Sequence, residues 1–421
     1  MTEFFSPAAA AFAGRSVRVF ACVALLLSSG CRSNQFPDYP AGYREFAYVA
    51  NAGSDTVTVL DLVYLRIDRT LSVRAHPIAL IASPVRDEVY VLSGGVEQTT
   101  GALSVIDTRQ NKVVASIPVE RDPRALAIDP SGARAYVSNA GSNSISVVDL
   151  GSRHSLFTVP TSAAPGSLRV APDDRTLVVA LPGAGSVALF AIHSPVPAGQ
   201  REGAAEPTAP LTPRATFSGC PGAASPVILP DSSKAFLACS GSNQVLALSL
   251  AEAAGTWAAR QDSSLLEDHR VALLDTGRDP ENLTLKPDGG EIFVSNTGSG
   301  SVSEIATQSN EVGSTYPIGN RPTHGIVSGD NSALWISDSG ADSLSLYSIS
   351  DGKLVSSIRT GNAPGALAFS ADEHLLLVAD QTSGDVAIIR TTSRLGPALF
   401  TLMPAGATPS ALAVKAMQSK R

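Results

Sequence analysis

Short runs of alternating apolar and polar residues recur along the chain, separated by Gly, Ser, Asn and Pro. A period of two puts every second side chain on one face and marks β-strands rather than helices. The stretch YVSNAGSNSISVVDL (136–150) shows the unit. One strand ends at Asn139, a Gly/Ser/Asn turn follows, and a second strand ends at Asp149. A lone hairpin is barely stable in water, so its partners must lie elsewhere in the sequence.

They lie in repeats of the same pattern. With Tyr136 as marker, the equivalent positions are Tyr48, Tyr90, Val178, Phe236, Phe293, Trp335 and Leu377. Successive spacings are 42, 46, 42, 58, 57, 42 and 42 residues, and a period near 40 signals a repeat architecture. Thirteen residues before the marker stands Pro77, Pro123, Pro165, Pro280, Pro322 or Pro364; only Ala223 breaks the column. A Pro suits the first residue of a strand, where its missing N–H costs no ladder bond. Each unit reads as strand a after the Pro, strand b at the marker, strand c (SISVVD) and strand d (HSLFTV). Four short antiparallel strands, repeated, form the blade of an all-β β-propeller.

Nothing upstream of Tyr48 resembles strand a, whereas TPSALAVKA (408–416) supplies a spare one with Pro409 in the column. The C-terminal strand is therefore expected to complete the first blade and to remove the sheet edge of a linear array. Eight markers and eight arms favour eight blades, with seven, the commoner number, as the alternative. The propeller is placed at 43–417, with a tail at 418–421. The tetrapeptides YVAN (48–51), YVSN (136–139) and FVSN (293–296), with the entries GRDP (277–280), GNRP (319–322) and GNAP (361–364), resemble the YVTN family of propellers. That resemblance spans about 43–416. It is specific for fold and weak for function, because relatives include envelope proteins, YncE-like periplasmic proteins and lactonase-like enzymes.

Composition agrees with a folded all-β chain: 44% hydrophobic, 16% charged, 35 Gly and 28 Pro. The net charge of −7 gives no support to a nucleic-acid partner. Arg15 and Arg18 precede the apolar stretch VFACVALLL (19–27), too short for a mature membrane span and suited to a signal-peptide core. SSGC follows and resembles a bacterial lipobox, which implies lipidation at Cys31. Residues 1–30 then read as a lipoprotein signal peptide and 31–42 as a tether. The expected location is the cell envelope, on the outer membrane or its periplasmic face, with the cell surface as a further option. Of four cysteines, Cys220 and Cys239 remain in an exported chain and invite a disulfide. Templating on the third blade puts Cys239 at the end of strand b, opposite residue 224, with Cys220 in the entering loop.

A residue copied into every blade is expected to shape the blade, so Asn139 and its equivalents read as turn devices. The departures are more telling. The b–c turn at 93–102 is four residues longer than its counterparts, 193–214 is a Pro/Ala-rich insertion, and 251–269 is expected to hold one helical turn around Trp257. The d–a and b–c loops share the face on which propellers usually bind ligands. The candidate ligand residues there are His76, Arg121, Asp122, Arg124, Arg278, Asp279, Glu281, Arg321 and His324, with Asn282 and Asn362 beside them. Mixed signs fit a polar ligand such as a sugar or peptide, or a solvated rim of paired charges. His76 and His324 are expected near the channel. No histidine spacing marks a metal site, and no nucleophile motif or cofactor signature occurs. The leading expectation is a monomeric, non-catalytic binding or scaffold propeller for an envelope protein or glycan; the alternative is a lactonase-like hydrolase.

Overall fold

The computed structural model describes residues 37–94, 99–193, 210–252, 263–393 and 396–417. Residues 37–40 carry no regular element; all regular structure lies in the unit Ala41–Arg421. The signal peptide and Cys31 fall outside the described residues, as does the turn expected around Trp257.

Eight four-stranded antiparallel sheets make up the unit. Seven are consecutive in sequence. The first is completed from the far end of the chain: Pro409–Met417 pairs with Arg44–Asn51, from Arg44↔Met417 to Asn51↔Pro409. The other innermost strands are Pro77–Ala82, Pro123–Ile128, Leu168–Val170, Ala223–Ile228, Pro280–Leu285, Pro322–Val327 and Pro364–Phe369. Each touches the next, and Pro409–Met417 touches both Pro364–Phe369 and Pro77–Ala82. The ring is closed, and the eight inner strands surround one axis. A buried carboxylate latches the seam. Glu45 accepts the Ala371 amide at 2.6 Å and the Tyr43 hydroxyl at 3.0 Å, so blade one is tied to blade eight. Burial raises the Glu45 pKa and the Ala371 bond lowers it, with burial the larger cause.

The marker residues pack between blades. Tyr136 joins Leu168 and Leu177 of blade four, and Phe236 joins Leu283 and Ile292 of blade six. Phe293 meets Val327 and Leu334, and Trp335 meets Leu376 and Val378. Burying such a side chain is worth about 1.5–3 kcal/mol, and each of these four interfaces carries one.

Six inner strands begin at their column Pro; Pro165 instead lies ahead of the short strand Leu168–Val170. A β-bulge follows the strand start, for example between Pro123↔Asn139 and Ala125↔Ser138. The extra residue shifts register by one. Cys239 is therefore opposite Ala223, not residue 224. The insertions are also shorter than their sequence limits, because Leu211–Ser218 and His269–Asp275 are already strand d. A single 3₁₀ turn, Ser263–Leu266, precedes the latter.

Candidate functional site

The polar residues of the repeat are consumed by the fold. Asn51, Asn139 and Asn296 end strand b fully buried, and each amide donates to a hydroxyl on strand c: Thr58 at 2.9 Å, Ser146 at 2.9 Å and Ser303 at 2.9 Å. In blades seven and eight an aspartate takes the place and turns to the entering loop. Asp338 accepts the Asn320 and Arg321 amides, both at 2.7 Å, and Asp380 accepts the Gly361 amide at 3.0 Å. The glycine of each G-x-x-P entry exists for this contact. A Cβ at Gly277 or Gly406 would press on Asn296 or Asn51, and one at Gly319 or Gly361 on Asp338 or Asp380.

Blade five holds the same two positions with sulfur. Cys220 stands three residues before Ala223, in the glycine place, and Cys239 ends strand b, in the Asn place. The structure joins them in a disulfide with Cα atoms 4.7 Å apart, both cysteines fully buried. A covalent bond thus stands where neighbouring blades use a polar contact.

On the loop face, amides of the b–c turns donate to the carbonyl just before the column Pro. Gly94 donates to His76, Ala140 to Asp122, Thr297 to Asp279 and Ser339 to Arg321, at 2.8–3.0 Å. His76, Asp122 and Asp279 have φ of 56°, 49° and 51°, the left-handed region in which Asp, Asn and His are enriched among non-glycine residues. Their first role is to shape the loop. The His76 amide donates to Asp55 Oδ1 at 2.8 Å, and its ring Nδ1 lies 3.2 Å from the Ala52 carbonyl oxygen. Arg124 and Asp122 form an exposed ion pair at 2.8 Å, an interaction of small net worth. Arg121, Arg278 and Arg321 enter no ion pair among the described residues. The rim is therefore partly self-paired and partly open.

Of the two histidines expected near the channel, His324 is in it and His76 is on the rim. His324 lies on an inner strand, opposite Ser337. Its side chain has open surface, yet surrounding protein strips its hydration and lowers its pKa. An open but desolvated group on an innermost strand faces the enclosed lumen. Arg169 combines the same features on Leu168–Val170: open surface, desolvation that lowers its pKa, and no protein partner. It pairs with Val178, two rungs deeper than His324 and thus about 7 Å further from the mouth.

Arg169 lies on strand a, away from the loops that hold the candidate ligand residues of the sequence. The signal was available as a broken column. The innermost segments of blades eight, one, two and three read ALAF, ALAV, ALIA and ALAI; those of blades four to seven read SLRV, SPVI, NLTL and HGIV. These four-residue segments are wholly apolar in one half of the ring and hold polar residues in the other. Among the described residues no cluster of three or more His, Cys, Asp or Glu has metal-ligand geometry.

Comparison with known proteins agrees with this architecture. The family described as Lactonase, 7-bladed beta-propeller, matches residues 315–401, from the end of blade six's outer strand through most of the last two blades. The protein thus carries a lactonase-like propeller repeat on a ring of eight blades. No curated protein matches the chain. Among solved structures, dihydro-heme d1 dehydrogenase NirN aligns with TM-score 0.67 at 16% identity, over 92% of this chain and 78% of its own. AztD from Citrobacter koseri aligns with TM-score 0.61 at 13% identity, over 89% and 98%. A candidate 6-phosphogluconolactonase from Bacteroides uniformis gives 0.58 at 14%, over 89% and 100%. Likeness at such identity speaks for the fold alone.

Proposed function

We propose that this is an exported, lipid-anchored propeller that binds a polar ligand at the channel mouth and performs no chemistry on it. One observation carries the reading: the buried Asn and Asp that end strand b each bond within the ring, whereas Arg169 and His324, with side chains that keep open surface and have no protein partner, lie on inner strands below the rim arginines of one face. The anchor rests on the lipobox-like SSGC ending at Cys31. The test is a pull-down from envelope extract, with a glycan and peptide array in parallel, comparing the natural chain with the triple variant Arg124→Ala, Arg321→Ala, His324→Ala. Loss of a retained ligand in the variant supports the reading; identical retention would sink it. For the anchor, Cys31→Ser should move the protein from the membrane fraction to the soluble one.

The match to the lactonase family favours a second reading, hydrolysis of a lactone at the same mouth. Turnover of a small lactone panel, abolished by the same triple variant, would put catalysis in place of simple binding.

A further inference from the structure

We propose that the lumen is an anion site built on Arg169, with His324 above it, and that its ligand is an amphipathic organic anion: a carboxylate or phosphate on an apolar body. This rests on the channel-mouth reading and specifies its ligand class.

Charge is the first ground. Beyond the bulge, the eight inner strands carry two charged residues, Lys415 and Arg169; Lys415 donates to the Ser83 carbonyl at 2.6 Å, whereas Arg169 has no protein partner. The other blades place Ala127, Ile326, Ala413 and similar uncharged residues on its rung. No carboxylate faces it there. Arg169 keeps open surface and has no protein counter-ion, and an arginine presents a planar fork of donors that fits carboxylate and phosphate oxygens. A protein that keeps such a group in its channel keeps a place for a ligand anion.

Geometry is the second. Along each inner strand alternate residues face opposite ways. Leu80, Leu126, Leu168 and Leu283 are buried, whereas Arg169, next to Leu168, keeps open surface on the innermost strand of its blade. His324 stands about two rungs nearer the mouth and offers a ring donor that no protein group uses. Serine hydroxyls knit the polar half: Ser167 Oγ accepts from the Ser225 amide and Ser225 Oγ from the Leu283 amide, both at 3.0 Å. These donors are held on rigid strands rather than on loops.

The opposite wall supplies the third ground. Blades eight to three offer only Ala, Leu, Ile, Val and Phe along these segments. A fully hydrated ion gains nothing from such a wall, whereas the apolar body of an organic anion does. The rim cations Arg121, Arg278 and Arg321 favour entry of the same charge from outside.

The test uses isothermal titration of the propeller with benzoate, phenyl phosphate, benzamide as a neutral counterpart, and inorganic phosphate. Benzoate or phenyl phosphate is expected to bind at least tenfold more tightly than benzamide or inorganic phosphate. Arg169→Gln should weaken it at least tenfold and Arg169→Lys less, with thermal midpoints showing that both variants fold. Ala413→Leu, which fills the apolar wall and keeps every donor, should weaken the aromatic anions and not inorganic phosphate. Anion binding that survives Arg169→Gln overturns the proposal, as does absence of anion binding. If a neutral glycan or peptide instead binds and is lost in the Arg124, Arg321, His324 triple variant, the anion proposal fails while the channel-mouth reading stands.

Discussion

Replacing Gly319 by Ala tests why the G-x-x-P glycine recurs. The new Cβ would overlap Asp338 Oδ2. That carboxylate accepts the amides of Asn320 and Arg321, each at 2.7 Å, and of Gly340 at 3.1 Å. Gly319 does not adopt a positive φ, so collision rather than backbone strain sets the cost. Asp338 is 1% exposed and closely packed, which leaves it no room to step aside with its bonds intact. Hydrogen bonds to a charged group are worth about 1.5–3 kcal/mol each, so breaking two costs about 3–6 kcal/mol. The lower entropy of the unfolded alanine variant returns about 0.4–1 kcal/mol. The expected net loss is about 2–5 kcal/mol, a large part of an ordinary domain's stability of about 5–15 kcal/mol. Equilibrium unfolding in urea measures it, with Gly313→Ala as the control because nothing lies within 4 Å of that Cβ. In an Asp338→Ala background the struck atom is gone, so Gly319→Ala should then cost under about 1 kcal/mol, a coupling that a double-mutant cycle isolates. Equal cost in both backgrounds, or a cost below about 1 kcal/mol in the natural chain, would refute the collision.

Opening the disulfide by Cys220→Ala with Cys239→Ala should cost about 3 kcal/mol, the loop-entropy value for cysteines 19 residues apart, read as a lower urea midpoint. Asp380 is pushed up to about 7 by burial and by the neighbouring Asp385 carboxyl, and Asp174 to about 6 by burial and the Asp129 charge. A carboxyl whose pKa is raised on folding binds its proton more tightly in the native state, so this part of the stability is present at low pH and lost as pH rises from about 4 through 7. Asp380→Asn should flatten that decline in thermal midpoints measured across the range. Deleting 409–421 removes the innermost strand of blade one and opens the ring; circular dichroism should show loss of the cooperative melt, not removal of one independent strand.

The blade count, the strand order and the closing strand were legible because each blade must bury the same faces against the next, and that constraint writes one pattern eight times. Cys239 pairs one residue away from its expected partner because a bulge adds a residue that the hydrophobic pattern does not reveal. The candidate site was legible in part. His324 was picked from its offset to the Pro column, and the rim arginines from the d–a loops. Several of their neighbours, such as Asp122 and Asp279, proved to be left-handed loop residues that a sequence without coordinates does not distinguish from ligands. Arg169 went unseen because it sits inside a strand, where polarity is informative only beside the same rung of the other seven blades.

The central claim is a division of labour: repeated polar residues hold the ring, and unrepeated lumenal groups hold the ligand. The most direct measurement sets Asn296→Ala beside Arg169→Gln, with urea stability and benzoate affinity determined for both. Asn296→Ala removes a buried hydrogen bond and should lose about 1–2 kcal/mol of stability while keeping affinity. Arg169→Gln should keep stability and lose affinity at least tenfold. Lost affinity in Asn296→Ala at unchanged stability, or unchanged affinity in Arg169→Gln, would contradict it.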